Sequence, residues 1–325
     1  MDDTSQAPLE RVLIWDQIGA NKWRTVLLIV GFVVFVALFF AAIGTVVSTY
    51  AGTSPSVDPK LTIQIAIASA LIATAVGILM YFVSTATVLA ISGAHEATKA
   101  EEPELYRVVE NLSIGSGLPM PKVWVMEDSA PNAFATGRDP QNAHVAATRG
   151  LIEKLDKSEL EAVMAHEMSH IGNYDTRIMT TVAVVVGLVA LASDLMLRFT
   201  WYGAGARQGN KGKGENALAL IILAVAVLFL ILSPFIASAM RFALSRQREY
   251  LADASGALLC RNPGALASAL EKIAADPEPL EVANKATAHM YIENPLKEHK
   301  SFLNNLFATH PPVDERIRLL RAMGG

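Results

Sequence analysis

Residues 158–175 read SELEAVMAHEMSHIGNYD and contain two histidines four positions apart, His166 and His170, with Glu167 after the first. The preceding tetrapeptide, DKSE at 156–159, is typical of a helix start, so we expect an amphipathic helix from residue 159 past His170. On that helix both imidazoles project from one face about one turn apart, as two ligands of a tetrahedral zinc ion require. This stretch therefore predicts a metal-binding helix.

Glu167 follows the first histidine, where its carboxylate can reach a metal-bound water without binding the metal itself. Zinc lowers the pKa of such a water to about 7, and Glu167 can then accept its proton as the water attacks a carbonyl. The motif predicts metal-assisted hydrolysis. The alternative is a pair of helix-face histidines with no metal, so the sequence context has to support the motif.

A catalytic zinc needs a third protein ligand and an open fourth position. Glu249 and Asp253 lie one turn apart on a predicted helix that begins where the last apolar run ends. Glu249 could complete a two-histidine, one-glutamate set, and Asp253 could accept the free N–H of a zinc-bound histidine. The spacing alone is weak, because ordinary surface helices contain it. The support for this pair comes from the path of the chain: two apolar runs lie between His170 and Glu249, and if both cross a membrane, they return the chain to the face that carries the histidines.

Composition and charge exclude several other classes. Only 18% of the 325 residues are charged, against about 25% in a typical soluble domain. The net charge of −4 argues against a nucleic-acid partner, because no basic surface dominates. The single cysteine, Cys260, permits no intramolecular disulfide and has no setting typical of a thiol protease.

Four apolar runs predict membrane spans, at 26–47, 61–94, 178–198 and 216–240. About 20 apolar residues cross a bilayer, although Asp194 interrupts the third run. These runs divide the chain into five predicted parts. They are an N-terminal cytoplasmic segment 1–25, a transmembrane hairpin 26–94, a first catalytic part 95–177, a second membrane hairpin 178–240 and a second catalytic part 241–325.

Basic residues before the first run predict that both catalytic parts face the cytoplasm from the cell membrane. The basic linker at 203–214 argues the other way and leaves open whether the third and fourth runs cross fully. The predicted fold is mainly α, a multi-span helical membrane protein whose catalytic domain contains a small antiparallel β-sheet. Its strands are expected at 123–126, 132–136 and 144–147, the last two joined by a turn at 137–140.

Four segments, in order and spread over nearly the whole chain, resemble HtpX-type membrane zinc endopeptidases, relatives of the CAAX prenyl proteases. They are PNAFATG at 131–137, the stretch at 158–175, SRQREYLAD at 245–253 and THPPVDERI at 309–317. The resemblance implies a zincin-like catalytic domain with one Zn²⁺ per chain. It also implies that Glu249 is the third ligand and that Asp253 supports a zinc-bound histidine.

The resemblance further implies that Asn132, His310 and Arg316 line the cleft and hold the substrate backbone or stabilise the oxyanion. Ala133–Thr136 would then be an exposed edge strand to which an extended peptide adds as another strand. Structural roles remain as alternatives for these residues. Asn132 could form a turn after Pro131, and His310 and Arg316 could belong to a helix start.

We therefore expect a zinc endopeptidase that cleaves unfolded or damaged membrane proteins, with peptide substrates and the lipid bilayer as its partners. The sequence indicates no oligomeric state. One rival function is a protease that processes prenylated proteins. The other is a non-catalytic zinc-binding membrane protein, which needs a closed fourth coordination position, and the lack of a cysteine near the motif weighs against it.

Overall fold

The computed structural model describes residues 18–34, 59–187, 246–281, 287–293, 295 and 311–324. The predicted run at 216–240 and His310 lie outside these residues, as do parts of the runs at 26–47 and 178–198. The helices are α1 (18–34), α2 (Pro59–Ile91), α3 (Pro103–Ser116), α4 (Arg149–Lys154), α5 (Lys157–Gly172), α6 (175–187), α7 (Arg246–Cys260), α8 (Pro263–Ala275) and α9 (Val313–Met323). The strands are β1 (Ala94–Glu96), β2 (Lys122–Met126), β3 (Ala133–Gly137) and β4 (Ala143–Thr148).

Helix α5, which carries the two histidines, begins where the sequence predicts. The Asp156 side chain accepts the backbone N–H groups of Ser158 and Glu159, and Glu159 reaches back to the Asp156 N–H in a capping box. The helix is not amphipathic, however. Nearly every side chain from Glu159 to Ile171 is buried, because α3, α7, α8 and β3 pack around it.

The four-stranded sheet has the order β1-β2-β4-β3 and is mixed, so the prediction of an antiparallel sheet is wrong in part. Strands β3 and β4 do form the expected antiparallel hairpin, with Ala135 opposite Val145. Strand β2 pairs with β4 in parallel, with Val123 also opposite Val145. The buried, apolar β4 lies between β2 and β3. The turn residues that predict the hairpin carry no information about the other neighbour of β4.

The core that positions the site is built from α5 and the elements around it. Apolar side chains of α3, the sheet, α5 and α8 form one buried cluster, which includes Val109, Val125, Val163, Met164 and Leu270. Packing on several sides prevents α5 from rotating, so its side chains are held in defined directions.

Helix α2 is apolar and largely uncovered over the predicted second run. Large side chains such as Leu71 and Ile72 are about two-thirds exposed. Within the described residues no single helix meets the length and hydropathy expected of a membrane span. Two consecutive segments, Ile63–Leu79 and Tyr81–Ile91, satisfy these criteria only when taken together, and they are joined at a bend of 57°.

Candidate metal centre

His166 and His170 lie on one face of α5 and are both buried. Their Nε2 atoms are 3.2 Å apart, and the two rings meet edge to face. Two nitrogens that face each other at this distance in a dry interior need a proton or a cation between them. The helical spacing read from the sequence therefore produces the expected pair of convergent imidazoles.

Glu249, from the first turn of α7, completes the cluster. Its carboxylate oxygens lie 3.9 Å from His166 Nε2 and 3.7 Å from His170 Nε2. Ligand atoms about 2.0–2.1 Å from a tetrahedral zinc are about 3.3–3.4 Å apart. The three side chains offer ligand atoms that all lie within 4.8 Å of one another, so they fit a single metal ion after a small inward movement of Glu249.

The charge of the site also suits a divalent cation. Four carboxylates are buried in or beside the cluster, those of Glu167, Asp175, Glu249 and Asp253, against two guanidinium groups, those of Arg248 and Arg316. With both imidazoles neutral, as metal ligands must be, these described residues carry a formal charge of −2 in a water-poor interior, where unbalanced charge is costly. One divalent ion would neutralise it.

Asp253 lies one turn after Glu249 and orients His166. Its Oδ1 is 2.9 Å from His166 Nδ1, and both its oxygens accept hydrogen bonds from Arg316, at 2.9 and 2.8 Å. Burial would raise the pKa of Asp253, but the Arg316 charge and its hydrogen bonds lower it to about 2. An ionised Asp253 favours the tautomer with N–H at Nδ1 and directs the lone pair of Nε2 toward the metal position.

His170 has a partner of the same kind, Asp175, to which sequence reasoning assigned no role. Asp175 Oδ2 lies 3.0 Å from His170 Nδ1. Burial opposes protonation, but the hydrogen bond to Asp175 and the charge of Glu249 raise the pKa of His170 to about 9. A cation would displace that proton on binding. The signal in the sequence is an acid five positions after the second histidine, just beyond the helix end.

Glu167 is buried beside the cluster, next in sequence to His166. Burial raises the pKa of its carboxyl group, while the two imidazoles and a hydrogen bond from the Ala135 backbone N–H act in the opposite direction. A carboxylate whose proton affinity is raised by burial is suited to take a proton from a water molecule during hydrolysis.

Strand β3 lies at the edge of the sheet, but the expectation that Ala133–Thr136 is exposed is wrong. These residues are buried, and the Ala133 carbonyl accepts a hydrogen bond from Ile292 N–H at 3.0 Å. Phe134 also forms an isolated antiparallel bridge with Tyr291. Unpaired backbone groups are costly in buried surroundings, and a segment of the chain itself pairs with part of this edge.

The three residues assigned to substrate binding remain predictions. Asn132 is buried, and its Nδ2 donates to the Glu293 carbonyl at 3.2 Å. Arg316 is fully buried, and besides Asp253 it donates to the Ile292 carbonyl at 3.0 Å. These contacts favour a structural role for both residues. His310 lies outside the described residues.

Helices α5 and α7 approach closely at Gly256. A Cβ atom there would lie 2.8 Å from the backbone nitrogen of His166, and backbone cannot move aside as a flexible side chain can. We expect Gly256→Ala to lower the free energy of unfolding by about 1–3 kcal/mol and to weaken metal binding, because α7 carries Glu249 away from the histidines. Urea unfolding and zinc titration of the purified protein measure both effects.

Gly264→Ala is the matched control, because the nearest atom to its added Cβ is a side-chain oxygen 3.6 Å away. It should leave zinc affinity unchanged and should not lower the free energy of unfolding, which alanine in a helix raises by up to about 1 kcal/mol. A Gly256→Ala protein as stable as wild type, with unchanged zinc affinity, would show that this contact does not set the position of α7.

The amino-acid sequence matches a known protein family. The model of peptidase family M48 matches residues 99–324. A curated "Protease HtpX homolog" from Dictyoglomus turgidum is 45% identical over 310 residues, which are 95% of each chain. Another from Tropheryma whipplei is 47% identical over 254 residues, 78% of this chain and 84% of the relative. A third, from Listeria monocytogenes, is 41% identical over 317 residues, 96% of this chain and all of the relative.

One solved structure, the crystal structure of S. mikatae Ste24p, matches with a TM-score of 0.45 and 16% identity. The match covers 94% of this chain but 66% of that chain. At that TM-score and identity the likeness supports no conclusion about function.

Proposed function

Since the chain belongs to peptidase family M48 and is a metalloprotease, we propose that it is a zinc endopeptidase of the cell membrane. Its proposed substrates are unfolded or damaged membrane proteins. The observation that carries the proposal is the buried cluster of His166, His170 and Glu249, with the Glu167 carboxylate beside it.

The chain's own residues have distinct tasks in this proposal. The imidazoles and Glu249 would hold the zinc, which when bound would polarise the peptide carbonyl and lower the pKa of a water molecule. Asp253 and Asp175 keep the Nδ1 atoms protonated, so that each Nε2 presents a lone pair. Glu167 accepts the proton of the attacking water and passes it to the leaving amine. The Glu167 and Asp253 roles agree with the family resemblance, and the Asp175 role is added from the geometry.

The membrane location is supported by the uncovered apolar surface of α2. A contiguous exposed apolar surface of this kind is expected where a helix faces lipid. We place the catalytic parts 95–177 and 241–325 at the cytoplasmic face, because the basic residues of the N-terminal segment favour that side.

We propose that the substrate is an extended chain that adds as a strand to β3. Such binding uses the peptide backbone, so it suits unfolded proteins of varied sequence. In the structure described here the Ala133 carbonyl is bonded to Ile292. A peptide can therefore pair along the whole of β3 only after Tyr291 and Ile292 withdraw from it.

The proposal is tested with the purified full chain in detergent and one membrane protein in two states, chemically unfolded and folded. We expect the unfolded state to be cleaved at least about tenfold faster, a difference of 1.4 kcal/mol in the barrier. A zinc chelator should abolish cleavage of both states, and one equivalent of Zn²⁺ per chain should restore it.

Two further substrates separate the rival functions, a farnesylated peptide and the same peptide without the lipid. Equal cleavage of the two supports the proposal. Strong preference for the farnesylated form would point instead to processing of prenylated proteins. A zinc-loaded protein that cleaves none of these substrates would contradict the endopeptidase function altogether.

A further inference from the structure

A buried asparagine on α1 reaches the metal cluster from the other end of the chain. Asn21 is completely buried, although asparagine is mostly found at protein surfaces and the neighbouring Lys22 is exposed. Its Nδ2 donates to Asp175 Oδ1 at 2.7 Å and to the Asn173 carbonyl at 3.0 Å. The other oxygen of Asp175 contacts His170 Nδ1 at 3.0 Å. An unbroken series of contacts thus leads from α1 to a candidate metal ligand.

The turn that carries Asp175 is itself strained and is held by the same helix. Tyr174 has a φ of 60°, a left-handed conformation that costs free energy for a residue other than glycine. Asn21 bonds to the carbonyl just before it, and the Lys22 ammonium lies 4.3 Å from the centre of the Tyr174 ring. Helix α1 therefore contacts the turn at two points, and of these only the Asn21 amide reaches Asp175.

The hydrogen bonding of Asp175 depends on the Asn21 amide. Oδ2 faces His170, and Oδ1 faces the Asn21 amide, while the nearest Arg248 nitrogen is 3.8 Å from Oδ1. That last distance is too long for a good hydrogen bond. Among the residues that the structure describes, removing the amide would therefore leave Oδ1 buried without another close donor and free Asp175 to rotate away from His170.

We propose that Asn21 is a positioning residue of the metal site: through Asp175 it fixes the orientation and tautomer of His170. The inference rests on the proposed zinc site and extends it to a helix outside every recognised motif. Because α1 runs into the predicted first membrane span, the first span and the metal site are mechanically linked.

The test measures zinc affinity of the purified full chain by competition with a chromophoric chelator. Asn21→Leu keeps the branched shape and the number of heavy atoms of the side chain and removes its donors. We expect it to weaken zinc binding about tenfold, the lower end of what loss of an outer partner of a metal ligand costs. Lys22→Met is the matched control, because it removes the contact with Tyr174 and leaves Asp175 untouched. It should bind zinc as wild type does.

Exchanging the amide at position 21 with the carboxylate at position 175 distinguishes a positioning role of Asn21 from simple packing. Asn21→Asp alone places two carboxylates together and should weaken zinc binding more than Asn21→Leu does. In the double variant with Asp175→Asn, the amide at position 175 can donate to the carboxylate at position 21 and accept from His170. Affinity should therefore recover to within a few-fold of wild type, as expected for directly coupled residues.

Wild-type affinity in both Asn21→Leu and Asn21→Asp would overturn the proposal and leave the zinc site standing. Equal weakening by Asn21→Leu and Lys22→Met, without recovery in the double variant, would also overturn it, because α1 would then act only as an anchor. Should Asn21→Leu fail to fold, Asn21→Ser, too short to reach Asp175, takes its place. Failure of wild type to bind zinc would instead remove the proposed function itself.

Discussion

Glu167→Gln is expected to reduce peptide hydrolysis by about 10²–10⁴-fold while the protein retains its full complement of zinc. The glutamine side chain has nearly the same shape and can still accept a hydrogen bond from Ala135, but it cannot take up a proton. Burial raises the pKa of the Glu167 carboxyl, and that proton affinity is lost in the variant. The measurements are kcat/KM on a quenched fluorescent peptide and the zinc content of the same sample.

The control for this substitution is Glu161→Gln, on the same helix but at its partly exposed side. It should leave the rate unchanged, and it tests whether any loss comes from the chemistry at position 167 rather than from the helix charge. The assignment of the base is wrong if Glu167→Gln binds zinc normally and cleaves at the wild-type rate. A fall in zinc content parallel to the rate would also contradict it, because the residue would then be a ligand.

Glu249→Ala is expected to weaken zinc binding by more than about 100-fold, beyond the range found for outer partners of a metal ligand. The substitution removes one of three ligands and leaves two imidazoles and two buried guanidinium groups near the metal position. Activity at micromolar zinc should be lost with it. A competition titration measures the affinity, and thermal unfolding with and without zinc measures how far the metal stabilises the fold.

Glu271→Ala is a suitable control, because this carboxylate is exposed and pairs with Arg321 at the surface. It should bind zinc as wild type does, and exposed ion pairs contribute little to stability. One tightly held zinc per chain in Glu249→Ala would exclude Glu249 from the site. The third ligand would then have to lie elsewhere in the chain.

The features that could be predicted are those that depend on neighbours in the sequence. The capping residues Asp156 and Glu159 start α5 where expected, and the i, i+4 spacing alone brings His166 and His170 to one face. The hairpin of β3 and β4 follows from turn residues at 137–140. Each of these rests on hydrogen bonds and side-chain directions that a few adjacent residues determine.

Other features required knowledge of distant contacts. The parallel pairing of β2 with β4 and the covering of β3 by Ile292 depend on which segments compete for the same edge. The role of Asp175 depends on a turn whose direction no local pattern reveals. Arg316, expected to hold the substrate backbone or stabilise the oxyanion, pairs with Asp253 in the structure, and its assignment to substrate binding stays a prediction.

The sequence by itself determined the chemistry available to this protein, namely two imidazoles one helical turn apart, an adjacent carboxylate and apolar runs long enough for a bilayer. Such properties are local, because helical periodicity and hydropathy need no partner to be read. Only the tertiary structure decided how Glu249 reaches the histidines, which carboxylates orient them and that Asn21 reaches Asp175 across 154 positions of the chain. Those contacts arise when separate helices pack into one core, and the packing selects among many arrangements that the same local patterns allow.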